Sequence, residues 1–341
     1  MNELGVMWRR LGLVALLGVL VVWLAEPSPG VPVLRFHPSP STRLLVIAPH
    51  PDDEAIAAAG VMQRVRSAGG RVRVVLLTSG DGFPPALERA GAGGSPSPED
   101  FRRFGRVRES ESRTALVALG LQRDDVTFLG FPDEGVCLLA SRFLSTRSRP
   151  LTSPYTERAM PPPDEQVIRG VSYRGSDVRI ELERIVKTFV PDVIILPDPE
   201  DEHPDHCASY IFGRAALDGT GHDRSSPMPR VLRYVVHFDD WPSDRDAAMP
   251  VMPPSGLDEP SDEWRTFPLT VLEERNKKAA LSAYTTQWPV VGRLLRGFTR
   301  SNELFLEGAP AHQPECWCDA EHVATELAPT ERRRHPRSTA R

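Results

Sequence analysis

From Arg43 onward the chain alternates short apolar runs with longer segments whose apolar positions recur at helical spacing. The runs Arg43–Ala48 (RLLVIA), Val72–Thr78 (VRVVLLT), Val126–Phe131 (VTFLGF) and Asp192–Pro197 (DVIILP) have the length and composition of buried strands. Between them, Glu54–Gly69, Arg106–Gly120 and Asp177–Phe189 read as helices, the first two closing on a glycine stop signal. Val231–Phe238 reads as a further strand and Leu272–Tyr284 as a further helix. Strands alternating with helices predict an α/β fold. It is a Rossmann-like, mostly parallel sheet with helices on both faces and its active site at the carboxyl ends of the strands. Two stretches break the rhythm: Ala90–Glu99, rich in Gly, Ser and Pro, and Ser141–Asp164, rich in Ser, Arg and Pro. Both are expected as loops inserted on the rim.

The two ends have a different character. Arg9-Arg10 precede an unbroken apolar run, Leu11–Ala25, and the stretch EPSPG then breaks any helix. This pattern predicts a signal anchor or transmembrane segment over residues 1–25. Trp23 stands where cleavage after Ala25 would want a small residue, which argues against removal. By the positive-inside rule the chain is then expected to be membrane-anchored by a single N-terminal helix with its catalytic domain extracytoplasmic, or secreted if the segment is cleaved. Residues 26–40 are proline-rich and read as a stiff linker. Residues 41–310 form the expected domain, and residues 311–341 a polar, basic tail expected to be disordered.

Composition narrows the reading. The 341 residues, 40% hydrophobic and 26% charged, suit one large globular domain with appendages. A formal net charge of -5, with the basic run at 332–337 lacking interleaved aromatics, argues against a nucleic-acid partner. Four cysteines are too few for a disulfide-framework protein. Cys316-x-Cys318, with only His312 and His322 nearby, matches no familiar zinc module and reads as incidental.

The candidate chemistry lies just past two strand ends. His50-Pro51-Asp52-Asp53-Glu54 follows the first strand, and the stretch PDPEDEHPDH, Pro197–His206, ends the fourth. An imidazole among adjacent carboxylates is costly unless a cation or a proton-transfer task compensates. Helix capping by Asp52 or Asp53 would account for the first cluster alone, but not for His203-Pro204-Asp205-His206. Two histidines and a carboxylate with an open position form a common hydrolytic zinc arrangement.

The paired HPDD and HPDH motifs resemble the PIG-L/LmbE-like zinc-dependent N-deacetylases. Further matching stretches follow in order: LLTSGDG (Leu76–Gly82), RESESRTALVALG (Arg108–Gly120), FLGFPDEG (Phe128–Gly135), KAALSAYTTQ (Lys278–Gln287) and RSNELF (Arg300–Phe305). The resemblance implies one Zn2+ per chain held by His50, Asp53 and His206, with another divalent metal open on chemical grounds. It implies Asp52 as general base, His203 as oxyanion stabiliser or proton donor to the leaving amine, and Asp205 orienting His203. Arg108 and Asp133 match positions that contact the substrate's sugar or aglycone. The implied substrate is an N-acetylated amino-sugar conjugate, an N-acetylglucosaminyl glycolipid or envelope glycan, cleaved to acetate and a free amine. Two alternatives stay open. One is another metal-dependent hydrolase, phosphoesterase-like, drawing on Asp198, Glu200, Asp201 and Glu202 for extra ligands. The other is a non-catalytic, membrane-anchored glycan-binding protein. His237 reads equally well as a core histidine, and Glu54 as serving either the helix dipole or the site.

Overall fold

The computed structural model describes residues 30–91, 95–220, 228–243, 249–257 and 263–310, together with 314, 316 and 318. Its strands are β1 (Arg43–Ala48), β2 (Arg71–Thr78), β3 (Val126–Phe131), β4 (Val193–Pro197), β5 (Arg230–Tyr234), β6 (Trp264–Pro268) and β7 (Asn302–Glu307). Its helices are α1 (Asp53–Ser67), α2 (Pro84–Arg89), α3 (Pro98–Ala118), α4 (Val136–Ser141), α5 (Gly175–Phe189), α6 (Pro204–Asp218), α7 (Val271–Ser282) and α8 (Trp288–Gly297). The strands form one sheet in the order β3-β2-β1-β4-β5-β7-β6. Strands β1 to β5 pair in parallel, whereas β7 is antiparallel to both β5 and β6.

Both faces of the sheet are covered, as continuous apolar strands require. Leu44, Val46 and Ala48 pack with Ala58 and Met62 of α1, Leu116 of α3 and Leu281 of α7. Leu45 and Ile47, pointing the opposite way, join Leu139 of α4, Leu182 of α5 and Phe212 of α6. The strand order reverses direction between β1 and β4. In an open parallel sheet this switch point leaves a crevice beyond the strand ends, because the two following helices leave on opposite faces. Helices α1 and α6 begin there.

Several elements depart from the pattern reading, each for a local reason. Helix α3 starts eight residues before Arg106, where Ser97, inside the stretch expected as loop, forms a capping box with Asp100 just past it. Strand β5 stops at Tyr234 because the N–H groups of Val236 and His237 donate to the Asp201 carboxylate instead of a neighbouring strand. Strands β6 and β7 went unread, since both mix charged and apolar residues and only their pairing gives them a buried face. The proline-rich stretch also joins the sheet edge, where Val33 bridges Thr266 and Leu34 is buried. Residues 142–164 form no helix or strand, although Tyr155 is buried against Phe101.

Two expectations are corrected. Cys316 and Cys318 are not incidental: Cys137 is bonded to Cys318 and Cys207 to Cys316, pinning this short segment beside α4 and α6. The membrane-anchored localisation is overturned among the described residues, where no helix is long and apolar enough to cross a membrane. A span needs about 20 consecutive apolar residues. The longest described helix, α3 with 21 residues, carries Arg102, Arg103, Arg106 and Arg108. Residues 1–25, on which the anchor was read, lie outside the described residues, as does most of the tail from 311.

Candidate active site

The first motif is shaped by the tight passage from β1 into α1. Asp52 occupies the position before the helix with φ 127°, a conformation that L side chains rarely adopt, and its side chain caps nothing. Its backbone N–H donates to Glu54 Oε2 at 3.0 Å. Glu54 is fully buried, and its Oε1 accepts from Ser112 at 2.6 Å and from Tyr284 at 2.5 Å. Arg108 of α3 lies across the turn, donating to Pro51 O at 2.7 Å and to Gly80 O at 2.8 Å, with Asp52 Oδ2 at 3.4 Å. The turn is thus held from both sides, which keeps the Asp52 carboxylate apart from that of Asp53.

Asp53 Oδ2 is the meeting point of the two motifs. It lies 3.3 Å from His50 Nδ1 and 3.2 Å from His206 Nε2. The second nitrogen of each imidazole faces a buried carboxylate. His50 Nε2 lies 3.1 Å from Asp133 Oδ1 and 3.6 Å from Asp205 Oδ2, and His206 Nδ1 lies 3.1 Å from Asp201 Oδ2. Buried carboxylates behind both rings are the usual support for metal-ligating histidines, because they set the tautomer and raise ligand basicity. Three overlapping trios each bring ligand atoms within 4.8 Å of one another: His50, His203 and His206; Asp53, His206 and His237; and His50, Asp133 and Asp205. Both ring nitrogens of His206 are buried, each beside a carboxylate oxygen but without a well-directed hydrogen bond to it. The donor set of nitrogens and carboxylate oxygens fits a divalent ion such as zinc.

Electrostatics point the same way. Burial opposes charge on His50 and His206, yet the surrounding carboxylates win: His50 is held well above the usual range and His206 rises to about 10. Burial also works against ionised Asp133 and Asp201, but His50 draws the first down to about 2 and His206 the second likewise. Asp52 is pushed up to about 8, chiefly by burial, with Arg108 opposing and Asp53 and Glu54 adding to the rise. The cluster calls for positive charge between its carboxylates.

The positions read from sequence fall as follows. His50, Asp52, Asp53, His203, Asp205 and His206 converge at the switch point, with His50 and His203 ring centroids 4.6 Å apart. The Asp205 side chain turns away from His203, accepting from Cys137 N at 2.8 Å, while its backbone N–H donates to His203 Nδ1 at 3.2 Å. His203 Nε2 instead meets Glu134 Oε1 at 3.3 Å, at the half-exposed mouth. Asp133 and Arg108 are 2% and 4% exposed and face His50 and Asp52 rather than open space. Glu134, Ser112 and Tyr284 carried no assigned role in the sequence reading. The acidic pairs Asp133-Glu134 and Asp52-Asp53 offered a common signal, adjacent carboxylates with diverging tasks. Three of the four carboxylates that a two-ion site would recruit are engaged elsewhere: Asp198 by Arg233, Asp201 by His206, and Glu202 by the Asp239 N–H.

Comparison with known proteins places these residues in a family. The profile of the GlcNAc-PI de-N-acetylase family, PIG-L, matches residues 45–217, about half of the chain and inclusive of both motifs. A 1D-myo-inositol 2-acetamido-2-deoxy-alpha-D-glucopyranoside deacetylase of Streptomyces scabiei is 28% identical over 203 residues, 57% of this chain and 52% of that protein. The chain thus spans about half the length of this curated relative. The same-named deacetylase of Actinosynnema mirum is 27% identical over 258 residues, 72% of this chain and 80% of that protein. The solved N,N'-diacetylchitobiose deacetylase of Pyrococcus horikoshii has a TM-score of 0.46 at 19% identity, covering 78% of this chain and 83% of that one. With both motifs inside the matched span, the chain belongs to the PIG-L, or GlcNAc-PI de-N-acetylase, family.

Proposed function

We propose that this protein is a zinc-dependent deacetylase that hydrolyses the N-acetyl group of an N-acetylglucosaminyl conjugate, releasing acetate and a free amine. The observation that carries the reading is the arrangement around Asp53. Two imidazoles share its carboxylate, each is backed by a further buried carboxylate, and Asp52 stands beside them unused by either ring. The names of the relatives supply the substrate class, an acetamido sugar joined to inositol.

His50, Asp53 and His206 would hold the ion, which when bound supplies Lewis acidity to water and to the amide carbonyl. Asp52 takes a proton from the attacking water as the new C–O bond forms at the acetyl carbon. It returns that proton to nitrogen as the C–N bond breaks, so that acetate and amine leave in balance. His203 Nε2, which meets Glu134 at the mouth while Nδ1 accepts from the Asp205 N–H, would be the ring nitrogen offered to the oxyanion. Arg108 acts from behind, holding Asp52, and Asp133 likewise holds His50.

The test is amine release by the zinc-loaded full chain from a panel of N-acetylglucosaminides that includes inositol-linked ones. Asp52→Asn is expected to lower kcat by roughly 10²–10⁴-fold while the bound metal stays. Absence of release from every substrate, with one metal ion bound per chain, would sink the deacetylase reading.

A further inference from the structure

The two disulfides tie a short segment to the two helices that carry or brace the candidate metal site. Cys207 directly follows His206 in the first turn of α6. Successive helical side chains point about 100° apart. His206 can therefore face the crevice while Cys207, buried and bonded to Cys316, faces another way; Cys316 and Cys318 both pack on the core that includes Leu182 and Phe212. Cys137 belongs to α4, and its backbone N–H donates to Asp205 Oδ1. Asp205 is 1% exposed, and its Oδ2, which makes no hydrogen bond, faces His50 Nε2. One disulfide therefore starts next to a candidate ligand and the other next to the N–H that aims a carboxylate at a second.

Helix α4 has 6 residues, well short of the length at which a helix holds itself together, so its position depends on tertiary attachment. Cys316 and Cys318 are two residues apart, and two residues of extended chain span about 7 Å. By bonding one helix through each sulfur, this step limits how far α4 and α6 can separate. The links also close long stretches of chain, with sequence separations of 181 and 109 residues.

We propose that the Cys316–Cys318 segment is a covalent clamp that positions the candidate metal-binding groups, making Cys137, Cys207, Cys316 and Cys318 positioning residues for the proposed hydrolysis. The inference rests on the metal-hydrolase reading and adds to it a cause for the register between α4 and α6. In the clamped state Asp205 and His206 hold their places before an ion arrives, so less ordering accompanies binding.

The experiment compares the full wild-type chain with a variant carrying Cys137→Ala, Cys207→Ala, Cys316→Ser and Cys318→Ser, which leaves no thiol to capture metal. Intact mass should first find all four wild-type cysteines oxidised; four free thiols would overturn the clamp. Zinc affinity, measured by competition with a chromophoric chelator, is expected to fall about tenfold in the variant. Amide exchange over residues 136–141 and 203–210 should quicken by about tenfold. Equal affinity and equal exchange, with only the melting temperature lowered, would overturn the proposal and leave the disulfides as simple stabilisers. If the fourfold variant does not fold, the pair Cys137→Ala and Cys318→Ser, which keeps the other disulfide, takes its place with the same readouts and a smaller expected loss. A wild type that binds no divalent ion would sink the hydrolase reading, whereas exchange would still decide the clamp.

Discussion

Asp52 holds a φ of 127° without being glycine, and the groups that keep it there are Glu54, Arg108 and the backbone of Pro51. Backbone strain of this kind persists only where the surroundings over-determine it. Gly80 belongs to the same support. Its φ is +64°, and a Cβ there would lie 2.1 Å from Arg108 Nη1. Gly80→Ala is therefore expected to displace the guanidinium and loosen Asp52, lowering kcat by about tenfold or more. Metal content should hold, because none of the candidate ligands touches Gly80; kinetics and metal analysis on one preparation would check both halves. The types and spacing of the six motif residues were legible in the sequence. The partners of Asp205, Asp133 and Arg108 were not, because a side chain's direction at a helix start depends on the turn before it.

At the scale of elements, α3 delivers Arg108 and Ser112 to the site region from a single capped helix. Its helical spacing was readable from Arg106, but its first two turns offer only Phe101 and Phe104 as large apolar residues among charged ones, too short a stripe to mark the start. Ser97 closes that end, accepting from Asp100 N at 3.3 Å, while Asp100 accepts from Ser97 N at 2.9 Å. Ser97→Ala should cost about 1 kcal/mol, a fall of about 2–4 °C in melting temperature. Activity should persist, since Arg108 lies three turns further along. Thermal melts and a single rate measurement would test it; an unchanged melting temperature would remove the cap from the account of this helix. Strands β6 and β7 illustrate the opposite limit. Their mixed sequences become strands through mutual pairing, and Arg265 and Glu307 meet only because of it.

For the whole molecule, a polar cavity of about 230 Å³ behind the Ser79–Gly82 loop gathers Ser79, Asp81, Glu109, Glu165 and Tyr173. Burial, reinforced by the charge of Glu109, pushes Glu165 up to about 8. A carboxyl whose pKa is higher folded than unfolded binds its proton more tightly in the native state. Its stabilisation is complete below the unfolded value near 4.5 and is lost as pH rises through about 8. Glu165→Gln removes that dependence, so the variant's stability relative to wild type should increase steadily from pH 5 to pH 8. Denaturant melts at several pH values would measure it, and a constant difference would refute the assignment. The residue lies just past the expected rim insertion, Ser141–Asp164, and its approach to Ser79 could not be foreseen from the polar composition there.

By itself the sequence determined the alternation of buried strands and helices, the parallel core they imply, and the two histidine–carboxylate motifs past the ends of β1 and β4. These are local properties: apolar periodicity, turn residues and residue type set them within a few positions. Only the tertiary structure decided that β1 and β4 are neighbours at the switch point, which brings Asp53 within 3.2 Å of His206 from the other motif. It also decided which carboxylates stand behind which ring, and that Cys137 and Cys207 reach across the chain to Cys318 and Cys316. Strand order and cross-chain pairing arise from the competition among all faces that must be buried at once. Spacing along the chain carries no record of its outcome.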